Sequence, residues 1–304
     1  METLKKYHNI VILKGGISDE YEISKLTANQ VSETLKPLSN VKIVNIEKNS
    51  KSLIQDLTKL EPDVVFNCLH GYFGEDGQVQ SILNYLKIPY THSGVLTSAI
   101  LMNKLIAKQL FINKGIRTPT NFDIKNLKKE KLVFPLIIKP INGGSSNGLF
   151  KINNLKELNT FILDKKDKLN KLMLEKYING RELTVGILEN KICGIMEIKF
   201  NEEIYDYENK YINIAKHIID PKLPQKIKEE LINISLEVHN SFNCNCISRI
   251  DFRYDEDNQK VFLLEVNTQP GLTKNSLLPE MAKKMGIDFL KLCKILIKYS
   301  KCEN

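Results

Sequence analysis

Two stretches near the C-terminal end carry oxygen donors at spacings that suit a hard cation. "SRIDF" sets Arg249 and Asp251 two residues apart, and "LLEVNTQPGLTKNSL" closes an apolar strand on Glu265 and Asn267 before Pro270 and Gly271 break it. Strand side chains alternate with a period of two, so each pair shares a face. The five residues "DEDNQ" between the strands predict a hairpin that pairs Tyr254 with Lys260, setting Arg249 opposite Glu265 and Asp251 opposite Leu263. On that register all four polar side chains leave one face, and Ile250, Phe252, Leu264 and Val266 leave the other. Asp, Glu and Asn are the donors that Mg²⁺ accepts, usually together with substrate phosphates. An ordinary Arg-Glu pair on a solvated hairpin would use the same residue types.

Further motifs lie upstream. "KPINGGSSNG", Lys139 to Gly148, follows the apolar "FPLII" and offers backbone N–H groups, hydroxyls and a lysine to negative charge, without the order of a P-loop. "LEKYINGRELTV" places Glu175 and Lys176 at a strand end and Glu182 after a turn, where a carboxylate suits ribose hydroxyls and apolar neighbours suit a base. "KGGISDEYEIS" puts Gly15 and Gly16 at a strand end and Ser18, Asp19 and Glu20 at a helix start, a pattern that serves either a ligand or a plain N-cap. "FNEEIYDYENKYINIAKH", residues 200–217, mixes Tyr205, Tyr207 and Tyr211 with charges and no clean period, which reads as a surface loop of the kind that closes over a site.

The elements that must position these groups follow from periodicity. The first ~90 residues alternate strand and helix in a Rossmann-like pattern, with helices over Tyr21 to Leu35 and near Leu53 to Leu60. Ligands of such sheets sit beyond the carboxyl ends of the strands, where "GGISDEYEIS" and "HGYFGEDG" fall. A long helix across "LTSAILMNKLIAKQLFINKG" stops at Gly115. From Arg181 onward strands dominate, with a helix over about Gln225 to Asn240. The expected division is 1–90, 91–180 and 181–304, an α/β chain whose C-terminal part is α+β.

Composition narrows the class. With 304 residues, 42% hydrophobic and 26% charged, the chain reads as globular. No apolar run approaches the roughly 20 residues of a membrane helix, and no secretory signal opens the chain, so a cytoplasmic location is expected. The net charge of +8 is spread among 36 acidic residues, which argues for a solvated lysine surface and against nucleic acid. Six cysteines form no CxxC pair and read as reduced thiols. Only Arg117, Arg181, Arg249 and Arg253 are arginine, so each planar fork in this lysine-rich chain warrants attention.

Taken in order, "GGISDEYEIS", "HGYFGEDG", "KPINGGSSNG", "EKYINGRELTV", "YDYENKY", "SRIDF" and "LLEVNTQPGLTKNSL" resemble the D-alanine-D-alanine ligases of the ATP-grasp superfamily, over nearly the whole chain. The resemblance implies an ATP-grasp fold preceded by a Rossmann-like domain. It implies an ATP-dependent carboxylate-amine ligase that phosphorylates one D-alanine and joins it to a second through an acyl phosphate, for peptidoglycan precursor synthesis. Carried over by motif, Asp251, Glu265 and Asn267 hold two Mg²⁺ ions, for which Mn²⁺ can substitute. Lys104, Lys139 and Lys210 meet ATP phosphates, Glu175, Lys176, Tyr177 and Ile178 frame adenine, and Glu182 takes the ribose. Glu20 receives the first ammonium, Arg249 and the Gly271 N–H hold the oxyanion, and Ser276 with the Leu277 N–H grips the second carboxylate. Tyr211, Ser145 and Glu20 link the loop to its neighbours, His70 and Glu75 belong to the site, and a homodimer is expected. Tyr211 favours the dipeptide over a D-lactate ester. Three departures stand out: Asn275 replaces the usual His, Asn103 the usual Asp, and Lys14 a small or apolar residue. Asn275 removes a group able to carry positive charge, which implies a weaker hold on the second substrate.

Overall fold

The computed structural model describes residues 7–47, 52–127, 131–144, 148–199, 216–273 and 275–303. In chain order the first unit runs β1 (Asn9–Gly15), α1 (Tyr21–Leu35), β2 (Asn40–Ile46), α2 (Leu53–Leu60), β3 (Val64–Asn67) and α3 (Gln78–Tyr85). Next come α4 (Val95–Met102), α5 (Lys104–Asn113), β4 (Asn121–Phe122), β5 (Leu136–Pro140), β6 (Phe150–Ile152), α6 (Leu155–Asp164) and β7 (Leu172–Lys176). The last part holds β8 (Arg181–Leu188), β9 (Lys191–Lys199), β10 (Lys216–Ile219), α7 (Gln225–Ser241), β11 (Ile247–Asp255), β12 (Lys260–Asn267), α8 (Leu277–Lys284) and α9 (Phe289–Lys298).

These strands form three sheets: parallel β2-β1-β3, antiparallel β4-β7-β5-β6, and antiparallel β10-β9-β8-β11-β12. In β1, Ile10 to Leu13 are all fully buried, because a parallel strand covered on both faces has no side left for water. Val11 and Leu13 face a core with Leu57, Val65 and Leu83. Ile10 and Ile12 face another that α1 supplies with Ala28, Val31 and Leu35. That second core is completed by Leu278 and Met281 of α8 and by Leu292 and Leu296 of α9, so the chain's two ends share one interior. In the five-stranded sheet, Leu183, Val185, Ile250, Phe252, Leu263 and Val266 pack against Ile227, Leu231 and Val238 of α7. The opposite face packs in part on α8, with Met196 and Leu188 in the core of Met281, and carries Thr184, Asp251 and Glu265 beyond it.

Two expectations about elements are corrected. The long helix is two, α4 and α5, bent by 96° at Asn103. Asn103 adopts an extended backbone, and its Oδ1 accepts from the Ile106 N–H at 3.1 Å, so it caps α5 and cannot continue α4. Asn serves this cap as well as Asp does, which accounts for that departure. Lys216 and His217, expected in the loop, begin β10 beside β9. No single described helix is long and apolar enough to cross a membrane.

Losing the cap has a measurable consequence. Asn103→Ala is expected to lower stability by about 1 kcal/mol in urea unfolding, and Asn103→Asp to retain it; equal stability of the alanine variant would contradict the capping role.

Candidate active site

The hairpin of β11 and β12 brings its carboxylates closer than the sequence suggests. Asp255 pairs with Lys260 across a four-residue turn, and a bulge leaves Leu264 unpaired. Asp251 therefore lies directly opposite Glu265, and Arg249 opposite Asn267, correcting the expected Arg249-Glu265 and Asp251-Leu263 pairs. The same bulge makes Leu263, rather than Leu264, the fully buried companion of Phe252. The Arg249 fork closes on Asp251, with Nε to Oδ1 at 2.9 Å and Nη2 to Oδ2 at 2.7 Å. Thr184 on β8 donates to the same carboxylate at 2.6 Å. Burial opposes the Arg249 charge, but Asp251 and Glu265 outweigh it and raise its pKa. Of the other arginines, Arg117 pairs with Glu230, Arg181 with Glu197, and Arg253 donates to the Gly180 carbonyl and approaches Glu182 and the Tyr177 ring.

Facing this hairpin are lysines from the central segment. Lys104, at the start of α5, lies 3.4 Å from Glu265 Oε2 and donates to the Gly143 carbonyl of the glycine-rich loop. Lys139, at the end of β5, meets Glu175 Oε1 at 2.6 Å. The other Glu175 oxygen accepts from Lys108, which also donates to the Pro119 carbonyl at 2.8 Å. Burial raises the pKa of both Glu265 and Glu175, yet the lysines around each prevail and hold both carboxyls below the usual range. For Lys108 burial wins and lowers its pKa, against the pull of Glu175. Four cations, Lys104, Lys108, Lys139 and Arg249, thus surround three carboxylates, Glu175, Asp251 and Glu265. This cluster carries a net positive charge that suits a polyphosphate.

Among the described residues no group of three or more His, Cys, Asp and Glu gathers as a metal cage. Asp251 and Glu265, directly opposite each other, and Asn267 two residues on offer oxygen donors only, the chemistry that suits a hard cation completing its coordination with phosphate and water. Cys244 and Cys246 are buried, free thiols, each pushed up to about 12 by burial.

Beyond β1 and β3 the acidic loops converge. His70 contacts Glu75 Oε1 through Nδ1 at 2.9 Å and Thr27 Oγ1 through Nε2 at 3.2 Å, and Ser18 donates to its carbonyl at 2.6 Å. A Cβ on Gly71 would lie 2.7 Å from Glu20 Oε2, and one on Gly144 3.3 Å from Glu20 Oε1. The backbone of the glycine-rich loop thus reaches the N-terminal acidic residue. Lys14 turns to Asn29 of α1 at 3.0 Å.

At the other end of the cleft, Ser276 is the residue before α8, and its Oγ accepts from the Thr273 N–H at 3.0 Å. A Cβ on Gly271 would lie 3.1 Å from that hydroxyl. Leu277 opens α8, and an N-terminal turn directs N–H groups at an anion. Asn275 is exposed beside it. At the end of β7 Glu175 is buried and Lys176 exposed, with Tyr177 half-buried and Ile178 buried beyond it. Glu182 lies across from Arg253 on β11. Ser145, Lys210 and Tyr211 lie outside the described residues.

Several site residues escape sequence reasoning. Lys108 was signalled only by its position one helical turn after Lys104. Thr184 sits opposite Asp251 by strand register alone. Gln269 donates to the Leu69 carbonyl at 2.5 Å and accepts from Asn67 at 2.9 Å, and its backbone N–H holds Asn267 Oδ1 at 2.8 Å. This buried contact ties the turn after β12 to the end of β3, and no local pattern announces a contact between residues so far apart.

A parallel N-terminal sheet followed by two antiparallel sheets, with lysines of one set against carboxylates of the next, defines the ATP-grasp class. Residues 106–298 match the family described as D-ala D-ala ligase C-terminus, and residues 45–93 its N-terminus. A D-alanine–D-alanine ligase of Pelagibacter ubique is 42% identical over 303 residues, covering 95% of this chain and 97% of its own. The crystal structure of D-alanine–D-alanine ligase from Bacillus anthracis complexed with ATP superposes with a TM-score of 0.79 at 31% identity, covering 95% of each chain. D-alanyl-alanine synthetase A of Vibrio cholerae superposes with a TM-score of 0.83 at 27% identity, covering 96% of this chain and 99% of that one. The chain belongs to the D-alanine–D-alanine ligase family.

The His70 arrangement sets a pH dependence. Burial opposes its charge, but the hydrogen bond and charge of Glu75, with Glu20 beyond, outweigh burial and the repulsion of Arg249, so its pKa is raised from 6.5. A raised pKa contributes stability that is fully present below about pH 6.5 and lost as pH rises through the folded value. The gap in Tm between the unsubstituted chain and His70→Gln should accordingly be wider near pH 6 than near pH 9; a constant gap would refute a proton-linked role.

Proposed function

We propose that this chain is an ATP-dependent ligase that joins two D-alanines to D-alanyl-D-alanine, supplying peptidoglycan synthesis. One observation carries the reading: Asp251 and Glu265 face each other across two strands, flanked by Asn267 and Arg249, with Lys104 and Lys139 opposite them. That is an all-oxygen cation site set against a phosphate site. Asp251, Glu265 and Asn267 would hold two Mg²⁺ ions, whose charge screens the phosphates and supports transfer of the γ-phosphoryl group.

The chain's own residues do the rest by placement and charge. Lys104 and Lys139, with Lys210, hold the phosphates. Lys176, Tyr177 and Ile178, with Glu175 behind them, border adenine, and Glu182 binds the ribose. Glu20 takes the ammonium of the first D-alanine, whose carboxylate accepts the phosphoryl group. Ser276 and the Leu277 N–H grip the carboxylate of the second, leaving its amine directed at the acyl phosphate. Arg249 and the Gly271 N–H hold the oxyanion of the tetrahedral intermediate, and phosphate leaves. His70, steadied by Glu75 and Thr27, completes the polar wall near Glu20. Ser145 and Tyr211 would join the loop 200–217 to Glu20, and Tyr211 favours the dipeptide. The three spans 1–90, 91–180 and 181–304, a cytoplasmic homodimer and Mg²⁺ dependence belong to the same reading, and a light-scattering mass tests the dimer.

Purified chain with Mg·ATP should release ADP on addition of D-alanine, and not with L-alanine. Turnover that requires D-lactate would favour ester synthesis instead, and none with D-alanine would remove the proposal. Glu265→Gln should lower turnover by roughly 100-fold or more with an unchanged circular dichroism spectrum; near-normal activity would remove the cation assignment.

A further inference from the structure

Lys108 has no role in the reaction as described, yet it is 4% exposed and ends on Glu175, itself 3% exposed. α5 sends Lys104 and Lys108 out one turn apart on the same side. Two like charges so placed repel unless each meets a carboxylate, and each does: Lys104 meets Glu265, and Lys108 meets Glu175. Glu175 is divided, one oxygen to Lys108 and the other to Lys139. A buried pair of Lys139 and Glu175 alone would be neutral. The chain of Lys108, Glu175 and Lys139 is positive, and Glu265 on β12 also feels the Lys139 charge.

We propose that Lys108 is a positioning residue of the nucleotide site: by holding one oxygen of Glu175, it aims the other at Lys139 and leaves the Lys139 ammonium a net positive charge for polyphosphate. The inference rests on the reading of the cleft as a nucleotide site. A purely structural role, bracing α5 against β7, would act on the base pocket and the phosphate pocket alike. A charge role acts on the phosphates.

The test is calorimetric binding to the full chain in the presence of MgCl₂, with ATP and with adenosine, which lacks phosphate. Lys108→Met is expected to weaken ATP binding by about tenfold while adenosine binding stays within about twofold, and Lys108→Arg, which keeps the charge, to stay near the unsubstituted chain. Unchanged ATP affinity in folded Lys108→Met overturns the proposal, as does equal weakening of ATP and adenosine. Should Lys108→Met not fold, Lys108→Gln, which keeps a hydrogen-bond donor toward Glu175 and removes the charge, takes its place. Its ATP affinity is expected to fall about tenfold with adenosine binding within about twofold, and an unchanged ATP affinity overturns the proposal. Binding is read without D-alanine, so the inference fails or stands separately from the ligase reading: ATP binding without D-alanine-dependent turnover contradicts the substrate, not Lys108.

Discussion

Burying charge is the constraint on which this cleft depends. A carboxylate or ammonium removed from water survives as a charge only when opposite charges and hydrogen bonds replace its hydration. Glu175 and Lys108 meet that demand through each other and through the Lys139 ammonium and the Pro119 carbonyl. Asp251 meets it through the Arg249 fork and the Thr184 hydroxyl. Because α5 also packs into the C-terminal core through Ala107 and Phe111, its Lys104–Glu265 and Lys108–Glu175 pairs tie the central sheet to the C-terminal one. The same contacts that make the charges tolerable set the spacing at which nucleotide and cation would be received.

The five-stranded sheet shows how one alternating pattern serves two ends. One face packs on α7, and the other is covered in part by α8 and carries Thr184, Asp251 and Glu265 toward the lysines of the central segment. The bulge at Leu264 lets this work: it inserts one residue between the buried Leu263 and the functional Glu265, so that Glu265 faces Asp251 without exposing Leu263. Gln269 then fastens the following turn to the N-terminal unit, so Asn267 and the acidic loop near His70 share a reference point.

Much of this was legible in the sequence because it is local. β1, α1, α2, β8 and β12 follow from apolar period and turn residues, and the face shared by Asp251, Glu265 and Asn267 follows from strand alternation. The register did not, because a hairpin's turn length and a bulge each shift pairing by one residue and leave almost no compositional trace. The bend at Asn103 was hidden by apolar residues on both sides of it, although an Asn before a lysine-rich helix is a cap signal. Lys108 and Gln269 were invisible for a different reason: their partners are 67 and 200 residues away, and long-range burial of a polar group has no local signature.

The interior shared by the two ends of the chain bears on synthesis. Ile10, Ile12 and Phe66 are finished only when Leu292 and Leu296 arrive. At ordinary elongation rates those residues leave the ribosome on the order of tens of seconds after β3. For that interval the core between the newly made parallel sheet and α1 lacks the leucines of α9. The final helix is the latch of the first fold unit as well as the end of the last, so premature termination near residue 285 would leave the α1 side of the N-terminal sheet short of part of its cover.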